Sequence, residues 1–83
     1  MIPPNLGDLS AAARAMMCVP PPARRLLMCR MIDQARTCGH PAGRTLMSAA
    51  LRHPIAAEPA LEDMNYLRCL KIGIEVLIDF YAA

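Results

Sequence analysis

Eighty-three residues allow one domain, and 55% hydrophobic with 19% charged residues is too apolar for a disordered tail, which buries too little surface to offset the entropy of ordering. Three aromatics (Tyr66, Phe80 and Tyr81), no Trp and an abundance of Ala, Leu and Met exclude a β-sandwich or barrel and predict an all-α fold with no sheet. The formal charge of +2 conceals an asymmetry: from Arg14 to Arg52 seven arginines oppose only Asp33, while beyond His53 the balance turns acidic.

The N-terminal Met1-Ile2-Pro3-Pro4-Asn5 lacks a basic stretch followed by an apolar run, so no secretory signal is expected. Gly7-Asp8 then precedes an alanine-rich segment, and a first helix is expected over about 8–19 with Asp8 as its N-cap. Leu9, Ala12, Ala13, Met16 and Val19 share one face at 3.6-residue spacing, and Pro20 ends the helix because its ring clashes with the preceding turn.

Pro20-Pro21-Pro22 forms a stiff connector whose last proline suits the first turn of a second helix, expected over about 22–38. Its apolar stripe is Leu27, Met28, Met31, Ile32, Ala35 and Cys38, with Gly39 as a left-handed C-cap. Arg24, Arg25, Arg30 and Arg36 lie largely outside that stripe and form a possible basic face for an acidic partner or nucleic acid.

His40 to Gly43 reads as a loop, after which Thr45 can cap a short third helix over about 45–53, stopped by Pro54. The segment from Pro54 to Leu61 is expected to run extended over the surface.

The last helix, expected over about 63–81, has the strongest periodicity in the chain. Tyr66, Leu67, Leu70, Gly73, Ile74, Leu77, Ile78 and Tyr81 form its widest apolar face, which predicts a core centred on Leu70, Ile74 and Leu77. Arg68, Lys71, Glu75 and Asp79 break the run, which excludes a membrane span. Cys69, Ile72, Val76 and Phe80 form a second apolar ridge on the flank. A chain this short has little core to cover both, so the ridge is expected to bind a partner, most simply the same helix of a second copy. The whole chain, residues 1–83, reads as one bundle of three main helices and one short one.

No chemistry is written in the chain. It has no G-x-S-x-G, H-E-x-x-H or phosphate-binding loop, and His40 and His53 each precede proline at expected loop positions, so the protein reads as a non-enzyme with no catalytic residues and no cofactor. Its four cysteines lack any C-x-x-C pair and are expected to be reduced and mostly buried in a cytoplasmic protein. Cys29, Cys38, His40 and His53 are the nearest approach to a ligand set, and no metal is expected. A helix-turn-helix fits poorly, because Met47, Ser48, Ala49 and Ala50 offer few base-reading groups.

The succession of Gly7-Asp8, Ala11 to Ala15, Val19-Pro20, Leu27-Met28, Leu46 to Leu51, Glu58-Pro59, Asp63, Tyr66-Leu67 and Cys69-Leu70 resembles a family of short alphaproteobacterial helical proteins of unknown function. The resemblance spans nearly the full chain and implies a small helical cytoplasmic protein. Together these readings predict a protein–protein interaction module, an accessory subunit or adaptor, acting through the last helix on itself or another protein. The alternative is a nucleic-acid-associated regulator using the arginine-rich helix.

Overall fold

A computed structural model describes residues 1–83, all of them in helices, turns or irregular segments and none in strands. The elements are α1 (Leu6–Met16), α2 (Pro21–Thr37), α3 (Leu46–Ala50) and α4 (Met64–Ala82), with a single 3-10 turn at Pro41–Gly43 between α2 and α3. The all-α fold with three long helices and one short one agrees with the sequence reading, and the ends differ for identifiable reasons.

Helix α1 begins two residues earlier than expected because Asn5, not Asp8, is its N-cap. Asn5 Oδ1 accepts from Asp8 N at 2.9 Å and Asp8 Oδ2 accepts from Asn5 N at 2.9 Å, a reciprocal capping box. The remaining oxygen of Asp8 accepts from Met47 N at 3.0 Å, so one carboxylate satisfies orphan amides at the starts of both α1 and α3. Thr45 caps α3 as expected, its Oγ1 accepting from Ser48 N at 3.0 Å, and Asp63 caps α4, its Oδ1 accepting from Asn65 N at 2.9 Å. Gly39 is not a left-handed cap: α2 ends at Thr37 with Cys38 in extended conformation, and no residue has positive φ.

Helix α1 is the axis of the bundle and touches the other three helices. Its short side chains allow this, since Ala11, Ala12, Ala13 and Ala15 are all buried and most of its circumference is covered. The space around it is filled by the long, flexible Met16, Met28 and Met31 with Leu46, each completely enclosed. The Pro54–Ala60 connector is held across α1 by two bonds, Arg14 Nε donating to Ala56 O at 2.8 Å and Ala56 N donating to Arg14 O at 3.1 Å. No helix is long and apolar enough to cross a membrane.

Candidate functional site

The orientation of α4 decides which of its two apolar faces can serve as a site. Tyr66, Cys69, Gly73 and Val76 are its buried residues. Cys69 is fully enclosed and Val76 is 5% exposed, while Ile72 and Phe80 pack half-buried against the same cluster. The ridge expected to meet a partner therefore packs largely inside the bundle, and the face expected to be core is split: Tyr66 and Gly73 are buried and Leu70 and Leu77 lean on the core, while Leu67, Ile74, Ile78 and Tyr81 are turned outward, Ile74 at 46% exposure.

The physical reason is complementarity of size. Methionines from α1 and α2 already fill the interhelical space, so past Tyr66 the middle of α4 contributes small residues: a Cβ at Gly73 would lie 2.8 Å from Leu9 Cδ1, 3.5 Å from Met16 Cε and 3.7 Å from Met28 Cε. A hydrogen bond of 2.6 Å between Ser10 Oγ and Tyr66 Oη fixes the rotation of α4 at its first turn. What remains outside is a stripe of large apolar side chains, Leu67, Ile74, Ile78 and Tyr81, that runs along α4 over about four turns.

The four arginines of the expected basic face do not act together. Arg24 is buried, and its Nε donates to Met16 O at 3.1 Å and Val19 O at 3.3 Å, closing the C-terminal end of α1. Arg25 forms the only salt bridge, Nη2 to Glu75 Oε1 at 3.2 Å, and Arg36 lies over the Phe80 ring with its guanidinium carbon 5.7 Å from the centroid. Arg30 alone is exposed without such a partner. A continuous track of free guanidinium groups for phosphates is absent.

Between α2 and α4 these elements enclose a cleft of about 370 Å³, lined by buried Ile32 and Val76, half-buried Phe80, and exposed Arg25, Cys29, Asp33, Arg36 and Asp79. Two arginines from the expected basic face thus meet two members of the expected partner ridge. With two cations and two carboxylates around it, the cleft carries no charge excess that would select an anion.

The cysteines depart from expectation: only Cys69 is buried, Cys18 and Cys29 are exposed, and Cys38 is partly exposed. Their positions at helix edges explain it, because α1 and α2 turn their alanines and methionines inward. Burial pushes the Cys69 thiol above its ordinary pKa. The Cys38 thiol is held below the ordinary value, first by hydrogen bonding from the His40 backbone and then by the Arg52 guanidinium 3.6 Å away, with Arg44 adding positive charge. A Cβ at Gly43 would overlap Cys38 Sγ, so any larger residue there would turn the thiol aside. His53 is bound to α2, its Nε2 3.0 Å from Gln34 Oε1, and no three His, Cys, Asp or Glu side chains are gathered as a metal site would need.

Sequence reasoning missed the structural roles of Arg24 and Asp8. For Arg24 a signal exists in its position just beyond the Pro20–Pro22 turn that follows α1; for Asp8 the contact to α3 lies 39 residues away and leaves no local trace.

No curated protein and no solved structure matches this chain. Residues 3–44, which include α1, α2 and the 3-10 turn and make up just over half of the sequence, match the domain of unknown function family DUF7742, and the chain belongs to that family.

Proposed function

We propose that this protein is a small cytoplasmic interaction module, an accessory subunit or adaptor, which works without catalysis by presenting the outward face of α4 to an apolar helix of another chain. One observation carries the reading: Leu67, Ile74, Ile78 and Tyr81, exposed by 37%, 46%, 60% and 58%, lie along one side of a single rigid helix. Scattered apolar residues are ordinary on a protein surface, but a contiguous row is the usual mark of an interface. Four cysteines without a disulfide suit a reducing compartment, and the resemblance to alphaproteobacterial proteins suits a bacterial cytoplasm. A nucleic-acid role draws less support, because Arg24 is buried and the exposed Arg25 and Arg36 already have partners within the chain.

The test is the native size of the tagged protein in extracts of its host. Wild type should sediment well above the 9.1 kDa monomer, also at raised salt, since apolar burial is insensitive to counterions whereas phosphate contacts are not. Ile78→Glu should return it to monomer size while circular dichroism and melting temperature stay unchanged. A wild-type protein that sediments as a monomer in its own extract overturns the reading.

A further inference from the structure

We infer that the partner of α4 is α4 of a second copy, paired antiparallel about a two-fold axis beside Ile74. This rests on the reading of α4 as the working surface and names what covers it. Leu67, Ile74 and Tyr81 recur at intervals of seven, with Leu70 and Leu77 between them. A repeat of 3.5 residues is the spacing with which one helix keeps a seam against another. Leu70 and Leu77 already lean on the core, so the seam is anchored along its inner edge by the fold itself.

The arrangement of charge selects the direction. Arg68 and Lys71 occupy the N-terminal half of α4, and Asp79 the C-terminal half together with Glu75, which already pairs with Arg25 of α2. Parallel copies would align like with like, whereas antiparallel copies bring the basic half of each helix beside the acidic half of the other and oppose the helix dipoles favourably. Centring the pair on Ile74 sets Leu67 opposite the partner's Tyr81 and Leu70 opposite the partner's Ile78. The same patch then serves both copies, as a closed two-fold interface requires.

The area is sufficient. With roughly 200 Å² as the accessible surface of one large apolar residue, the exposures of Leu67, Ile74, Ile78 and Tyr81 leave about 400 Å² of apolar surface on each copy. Two such faces supply about 800 Å², which at the roughly 65% apolar content of a homodimer interface corresponds to about 1,200 Å² in all, the lower bound for a stable specific contact. A reversible, concentration-dependent dimer follows.

The experiment uses the purified full chain alone. Sedimentation equilibrium from low to high micromolar concentration should pass from 9.1 kDa to twice that mass. Ile74→Glu, which places two like charges at the axis, should raise the dissociation constant more than about tenfold without altering circular dichroism. Direction is read by disulfide trapping in a background with Cys18, Cys29 and Cys38 changed to Ser. Leu67→Cys mixed with Tyr81→Cys should oxidise to a heterodimer and neither should cross-link alone, while Ile74→Cys should cross-link with itself. A wild type monomeric at every concentration overturns self-pairing, as does efficient cross-linking of Leu67→Cys to itself, which marks a parallel pair. If the purified protein is monomeric but Ile78→Glu still abolishes the large species in host extract, self-pairing is wrong and the interaction reading stands. If Ile74→Glu unfolds the chain, the trapping experiment decides alone.

Discussion

Gly73 and Leu9 meet at the crossing of α1 and α4 so closely that a Cβ on the glycine would lie 2.8 Å from the leucine Cδ1. This approach sets which side of α4 is buried, and it makes Gly73 a packing residue in a helix that would otherwise favour alanine by about 1 kcal/mol. Gly73→Leu has no room between Leu9, Met16 and Met28 and should lower stability by about 1–3 kcal/mol in reversible urea unfolding. Unchanged stability would mean that the two helices separate freely there.

Val76 and Ile74 stand two residues apart on opposite sides of the packing. Val76→Glu buries an unpaired charge at a position 5% exposed and should leave the chain unfolded at 25 °C, because the cost rivals the whole stability of so small a domain. Ile74→Glu, at 46% exposure, should shift monomer stability by less than about 0.5 kcal/mol. Circular dichroism of the two purified variants decides, and the reverse order would restore the ridge of Cys69, Ile72, Val76 and Phe80 as the outer face.

Arg24 acts as an internal tie. Arg24→Met keeps the apolar stem but leaves the Val19 carbonyl without its side-chain donor and Met16 O with Val19 N alone, so it should cost about 1–3 kcal/mol. Arg30→Met, at an exposed position, is the control and should be near neutral in the same thermal melts.

Asp8→Ala removes acceptors from Asn5 N and Met47 N together and should destabilise by about 1–2 kcal/mol, more than the loss of a cap that serves one helix. Asp8→Asn keeps one acceptor oxygen and should recover part of the loss. A double-mutant cycle with Thr45→Ala, which uncaps the same α3, should show coupling.

The two shifted thiols give opposite pH behaviour. Cys38 should alkylate with an apparent pKa below the ordinary thiol value, and Arg52→Ala should raise it, as followed by site-resolved mass spectrometry of iodoacetamide labelling against pH. Cys69, fully enclosed, should label only on unfolding. Because its folded pKa is raised, its contribution to stability is complete below the unfolded thiol pKa and is lost as pH rises through the folded one, so Cys69→Ala should weaken the alkaline fall in melting temperature.

Local chemistry by itself determined the elements of this protein. Prolines at 20–22 and 54, the alanine run of α1, and the Thr45 and Asp63 caps specify helices wherever they occur, because each acts on the backbone within one turn. Asn5 and Asp8 stand three residues apart in one capping box, so both carry the chemistry of an N-cap and local sequence does not separate them. The rotation of α4, and with it the identity of the candidate surface, was decided only by tertiary structure. A helical wheel ranks faces by hydrophobicity, and α4 has two apolar faces; of the wider one only the edge with Tyr66 and Gly73 is buried, because Met16, Met28 and Met31 already occupy the space its larger side chains would need. Packing density admits side chains by the volume left to them, so beyond Tyr66, whose hydroxyl is held by Ser10, the small Gly73, Cys69 and Val76 went inward and Ile74, Ile78 and Tyr81 stayed out. The dispersal of the arginines has the same origin: equal charge in sequence says nothing of which guanidinium will find a carbonyl, a carboxylate or an aromatic ring once distant helices come together.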